Sequence, residues 1–188
     1  DVSHFRLSLH LTFAFITFAY TLWVALDLIY PEKNTVIISL RNLARLTLAF
    51  LLIQIIYGGF VAGLKAGLIY NEFPLMDGSL IPPELHNITI DWSVFSNPVF
   101  VQFLHRITAY LVLIINIILY ISIRKLANVQ LNRAAIIMLL ITLIQALFGI
   151  LTLIYVVPLN LAMMHQFGAM ILLSSSLWVA YLLSTNSQ

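Results

Sequence analysis

Five stretches of the chain stay apolar for long enough to cross a bilayer as helices, at roughly 7–29, 44–66, 98–123, 133–156 and 160–184; each meets the need for about 20 residues per span. The polar residues gather between them. Pro31-Glu32-Lys33-Asn34 follows the first stretch, where Pro31 closes the helix, and a short semi-polar segment ending in Arg41 and Arg45 leads into the second. The fourth and fifth are joined only by the turn around Pro158-Leu159-Asn160, which predicts a tight antiparallel hairpin. One sizeable segment outside the spans, 67–97, is rich in Gly, Pro, Asn and Asp, with Phe73, Trp92 and Phe95 placed to anchor it at an interface. The pattern predicts an all-α polytopic membrane protein with five transmembrane helices.

The first and last of these helices repeat one another. His10 and His165 stand near the start of their apolar runs, and twelve residues after each comes the same tetrapeptide, Leu22-Trp23-Val24-Ala25 and Leu177-Trp178-Val179-Ala180. We therefore expect the chain to begin partway through a duplicated protein. On this reading 1–30 is the last transmembrane helix of a preceding four-helix half, 31–43 is an inner loop, and 44–188 is a second four-helix half carrying loop 67–97. An Asp at position 1, with no signal-peptide pattern ahead of the first helix, fits a truncated or processed start.

Composition agrees: 62% of residues are hydrophobic and 9% charged, which places the chain among integral membrane proteins. With a net charge of +2 and no basic run, nucleic acid is not expected as a partner. The absence of cysteine removes disulfides, thiolate metal sites and a cysteine nucleophile. Lys33, Arg41, Arg45, Arg124, Lys125 and Arg133 fall on one side of the spans, and Asp1, Glu72, Asp77, Glu84 and Asp91 on the other. The positive-inside rule then puts loop 67–97 in the periplasm or intermembrane space and the C-terminus inside, in a bacterial plasma membrane or a mitochondrial inner membrane. Asp27 reads as a solvated or Lys33-paired interface charge. No nucleotide loop, hydrolase elbow or paired membrane carboxylate appears, so phosphoryl and acyl transfer have no support.

What remains is a histidine chemistry. In that topology helices one, three and five run in the same direction, and His10, His105 and His165 lie within roughly 10 Å of one another in depth at 1.5 Å per residue. A histidine is costly in hydrocarbon and usually serves a ligand, proton or ion. His105 and His165, on two parallel helices of one four-helix unit, suit the two axial positions of a haem iron in a bundle core. The alternative is that each packs by hydrogen bonding to a neighbouring helix. A zinc or copper site lacks a third or fourth ligand at that level. His4 and His86 lie outside the spans and read as solvated interfacial side chains. Gly59, Gly63 and Gly67, with Ala62 and Ala66, form a ridge read first as a close helix contact and second as room for a macrocycle. Gln102, one turn before His105, is placed to bond a ligand or water. Arg106 is placed to pair a haem propionate or to snorkel to the interface, and Lys65 shares that ambiguity. Gln54, Asn116, Gln145 and Gln166 are assigned to interhelical hydrogen bonds.

The motifs Gly58-Gly59-Phe60-Val61-Ala62-Gly63-Leu64-Lys65-Ala66-Gly67, Tyr70-Asn71-Glu72-Phe73-Pro74-Leu75-Met76-Asp77-Gly78, Ile81-Pro82-Pro83, Gln102-Phe103-Leu104-His105-Arg106 and His165-Gln166-Phe167-Gly168-Ala169, in this order, resemble the C-terminal half of the haem A synthase family, of the proteobacterial and mitochondrial type. The resemblance covers nearly the whole chain. It implies two similar four-helix halves and oxidation of a methyl group of haem O to the formyl group of haem A for cytochrome oxidase. It further implies that His105 and His165 ligate a haem b cofactor, with Gln102 and Arg106 beside it, and that His10 ligates the substrate haem of the other half. Where the family's first half has a glutamate implicated in catalysis, the equivalent position here is Gln102, so the catalytic residues are expected in the N-terminal half. Implied partners are haem O, that other half, membrane lipid, and a second copy or a haem O synthase. The competing expectations are a non-catalytic membrane cytochrome b with one bis-His haem and a haem-free assembly scaffold. A transporter is a weaker one, since no helix is broken mid-membrane.

Overall fold

The computed structural model describes residues 3–30, 37–89 and 91–184. Among them are five long helices, α1 (His4–Ile29), α2 (Ile38–Gly63), α3 (Pro98–Arg124), α4 (Val129–Ile154) and α5 (Leu159–Leu182), with short 3-10 turns at Ala66–Leu68, Pro83–Asn87 and Trp92–Ser96 and no strand. All five helices are long and apolar enough to cross a membrane. Pro31 and Lys33 fall outside the described residues.

The ends of the helices have local causes. Asn97 caps α3 by accepting from the amides of Val99 and Phe100, with Pro98 at the first helical position, and Asn128 caps α4 through the Leu131 amide. Helix α2 starts at Ile38 rather than near 44, because Leu40 and Ala44 are buried on one face of its first turns while Arg45 stays exposed on another. The inner loop is correspondingly shorter than 31–43. The same helix ends at Gly63, before 66, where Lys65 turns into the left-handed region at φ 51°. Between α4 and α5, Val156 (φ 60°) and Val157 (φ 55°) make the corner. Branched side chains seldom adopt this conformation, and the Val157 amide is held by the Thr152 carbonyl at 2.8 Å.

Of the expected small-residue ridge, Gly59 and Gly63 form the contact between α1 and α2, whereas Gly67 lies beyond the helix in the Ala66–Leu68 turn, where an added Cβ would meet Val157. A Cβ on Gly59 would lie 2.7 Å from Ser8 Cα and one on Gly63 would lie 2.7 Å from His4 Cα, so the two backbones touch. The Ser8 hydroxyl then donates to the Ile56 carbonyl at 2.8 Å. The tryptophans of the repeated tetrapeptides pack where α1 and α5 meet: Trp23 lies edge-on against Tyr181 at 5.3 Å, and Trp178 lies against Tyr30, just past the end of α1, at 5.0 Å. A cluster of buried residues including Leu40, Ala44, Leu119, Ile123, Ala135, Met138 and Val179 sits at the end of the bundle remote from the long loop. Arg41, Arg45, Arg124, Lys125 and Arg133 belong to that remote end; Glu72, Asp77, Glu84 and Asp91 belong to the loop end, together with Arg6, Lys65 and Arg106.

Candidate haem-ligand site

His10 and His165 are each the seventh residue of their helices and His105 the eighth, so all three sit one to two turns in from the loop end. His10 is exposed on α1, whereas His105 and His165 are partly buried on α3 and α5. Each of these two rings lies over a glycine of the preceding helix. A Cβ on Gly58 would meet His105 Cε1 at 3.4 Å; one on Gly149 would meet His165 Cε1 at 2.9 Å.

The glycines belong to a repeat that sequence reading missed. Leu52-Ile53-Gln54-Ile55-Ile56-Tyr57-Gly58 on α2 and Leu143-Ile144-Gln145-Ala146-Leu147-Phe148-Gly149 on α4 share Leu-Ile-Gln, an aromatic and Gly at the same spacing. Each copy precedes a histidine helix, with Gln and Gly one turn apart on the same face. The Gln54 amide nitrogen lies 3.3 Å from His105 Nε2, and its oxygen accepts from the Thr108 hydroxyl. Gln145 donates instead to the His165 backbone carbonyl at 2.7 Å, and its oxygen fills the space over Gly168. Asn116 donates to Thr142 at 2.8 Å between α3 and α4. The interhelical assignment thus holds for Gln54, Asn116 and Gln145. It fails for Gln166, which is exposed: one residue past His165, it points about 100° away around the helix.

Above the histidines, α3 ties down the long loop. Gln102 is buried and donates to the Tyr70 carbonyl at 3.0 Å, leaving its oxygen buried without a partner among the described residues. Arg106 donates to the carbonyls of Leu75 at 2.9 Å and Tyr70 at 3.2 Å. Its guanidinium is therefore engaged on loop backbone, while Lys65 is exposed. The loop carries its own tie: the Tyr70 hydroxyl donates to Glu84 at 2.5 Å, which pushes Tyr70 up to about 12 and holds the Glu84 carboxyl below its usual range. His4 is not the solvated side chain expected from sequence. It is partly buried against Phe5 and Phe60, within 3.3 Å of Ser96 Oγ, because the Gly63 contact draws the start of α1 onto α2. His86 is exposed. Phe95 packs among Phe60 and Phe100, while Trp92 stays 86% exposed.

Two observations test whether these residues fit a haem. The Nδ1 atoms of both His105 and His165 are buried without a hydrogen-bond partner among the described residues, and an apolar bundle leaves such an atom unpaired only at a cost. Each ring also rests on bare backbone, which suits an imidazole that must stand at a fixed angle. The donor set fits: two imidazole nitrogens at similar depth, one from α3 and one from α5. Among the described residues no three His, Cys, Asp or Glu side chains gather where a metal ion bound by protein alone would sit.

Residues 1–177 match the cytochrome oxidase assembly protein family COX15-CtaA. The chain belongs to that family. It is 51% identical over 185 residues to the Heme A synthase of Flavobacterium psychrophilum, covering 96% of this chain and 55% of the relative. It is 43% identical over 185 residues to that of Nitrosospira multiformis, covering 95% and 52%, and 42% identical over 193 residues to that of Rickettsia bellii, covering 100% and 56%. The chain thus spans about half the length of the curated relatives it matches. Membership of a family of oxidase assembly proteins agrees with the resemblance seen in the motifs and with the five spanning helices.

Proposed function

We propose that this chain is the haem b-binding half of a haem A synthase, whose whole-protein activity is oxidation of a methyl group of haem O to the formyl group of haem A. The observation that carries the reading is the pair His105–Gly58 and His165–Gly149: two imidazoles at similar depth on α3 and α5, each seated on a glycine, each with a buried nitrogen lacking a partner among the described residues. His105 and His165 would hold the iron, and the haem would supply one-electron redox chemistry. The residues around them serve to exclude water and fix the ligand angles. Arg106 and Gln102 act on the haem edge indirectly, by pinning the backbone of 70–75 over it. His10 is the substrate-haem ligand of the other half, which the exposed position of its side chain suits. In this proposal α2–α5 form the cofactor unit and α1 belongs to the preceding half, so the catalytic residues lie outside these helices. The distribution of Lys and Arg supports an orientation with loop 67–97 on the periplasmic or intermembrane-space side and the C-terminus inside. Haem O, the other half and surrounding lipid are the proposed partners.

Haem content tests this. The detergent-purified chain is expected to carry about one haem b by pyridine haemochrome analysis, with a low-spin reduced-minus-oxidised spectrum, and His105→Ala or His165→Ala is expected to lose that spectrum. A His165→Ala variant that keeps the wild-type spectrum and haem content would sink the ligand assignment. A folded chain that stays colourless after haem supplementation would favour a scaffold.

A further inference from the structure

Gln54 sits with its amide between two groups of α3, the Thr108 hydroxyl on one side and the His105 ring on the other. Thr108 is buried, and its Oγ1 is also 2.9 Å from the Leu104 carbonyl. Resting on the haem reading above, we propose that Gln54, held in place by Thr108, is a positioning residue that sets how strongly His105 donates to the iron.

An imidazole that gives one nitrogen to a metal keeps a proton on the other, and the group that receives this proton fixes the ring's orientation and basicity. Of the two ring nitrogens of His105, one meets Gln54 and the other has no protein partner. The two ends of a primary amide have nearly the same shape, so Gln54 can present its oxygen to the ring without moving. Its NH2 then donates to Thr108 Oγ1, whose proton goes to the Leu104 carbonyl. Every donor and acceptor in that row is satisfied, and the row ends on helix backbone.

The other imidazole has no such partner. Gln145, at the equivalent place in the repeat, bonds the His165 backbone carbonyl, and the His165 ring makes no hydrogen bond among the described residues. Tuning therefore acts on His105 alone. Removing the acceptor weakens His105 as a donor and favours ferrous haem, whereas a carboxylate acceptor strengthens it and favours ferric.

The test is a potentiometric titration of the haem-loaded wild-type chain and of Gln54→Leu, Thr108→Val and Gln54→Glu. Gln54→Leu is expected to shift the redox equilibrium about threefold toward ferrous, and Thr108→Val to shift it the same way by less. Gln54→Glu is expected to move it about tenfold toward ferric, 59 mV for a one-electron couple. A merely structural role for Gln54 would lower haem occupancy without opposite shifts in potential. If Gln54→Leu does not retain haem, Thr108→Val carries the test with Gln54 intact. Full haem content with unmoved potentials in Gln54→Leu and Thr108→Val overturns the proposal. A wild-type chain that binds no haem overturns the reading beneath it as well, so the two failures are distinguishable.

Discussion

The two glycines under the histidines are alike in sequence and unlike in space, which makes alanine substitution at each a graded probe of the site. At Gly149 the new methyl would lie 2.9 Å from His165 Cε1 and 3.5 and 3.6 Å from the ring nitrogens, whereas ordinary contact begins near 3.4 Å. The imidazole must therefore retreat by about 0.5 Å, comparable to the tolerance within which a site's ligands have to be held. Overpacking of this kind costs about 1–3 kcal/mol. At 1.4 kcal/mol per decade, haem affinity should fall by about 5- to 140-fold. At Gly58 the methyl would lie 3.4 Å from His105 Cε1, within ordinary contact, and affinity should stay within about twofold. Alanine is the better helix former by roughly 1 kcal/mol, so neither variant should lose helical stability, which separates a ligand effect from unfolding. The assay is haem titration followed by absorbance, with competition against a haem-scavenging globin and thermal melts by circular dichroism. Equal losses at both positions, or wild-type affinity in Gly149→Ala, would refute the reasoning.

Contacts away from the haem give two more expected outcomes. Gly59→Ala and Gly63→Ala each push a methyl to 2.7 Å from backbone on α1, which cannot step aside, so each should lower the melting temperature of the detergent-solubilised chain by roughly 2–4 °C per kcal/mol lost; an unchanged melt would show that α1 and α2 are not in contact. The Tyr70–Glu84 tie should loosen at both pH extremes. Because Glu84 is depressed in the folded state, its contribution is present above the unfolded carboxylate value and is lost as pH falls through the lower folded one; because Tyr70 is raised to about 12, its contribution is lost as pH climbs from about 10 to about 12. Tyr70→Phe should move the Glu84 titration upward toward the ordinary carboxylate range in an NMR titration, and a Glu84 titration identical to wild type would refute the tie.

The five helices were legible because a bilayer demands long uninterrupted apolar runs, and the core of a soluble domain rarely produces them. The reading slipped at α2, where Arg41 and Arg45 suggested a loop although Leu40 and Ala44 on the next face pack into the core. The similar depth of His105 and His165 was legible from their positions along the spans, and the structure sets them eighth and seventh in their helices. The Gln-x-x-x-Gly repeat was equally present in the sequence, and its identical internal spacing, on the helix before each histidine helix, was the available signal. Its meaning was not legible, since helix rotation decides whether Gln54 meets a ring and Gln145 a carbonyl. For the same reason Gln166 looked like an interhelical partner and is exposed. Arg106 had two plausible destinations in sequence; only the path of residues 70–75, which brings their carbonyls over α3, settles where its guanidinium goes.

Near-infrared magnetic circular dichroism of the oxidised, haem-loaded chain tests the central claim most directly, because it reports the chemical identity of both axial ligands. A low-spin bis-imidazole signature is predicted, lost in His165→Gly and restored by added imidazole. A five-coordinate haem, or a signature with a ligand other than imidazole, would contradict it.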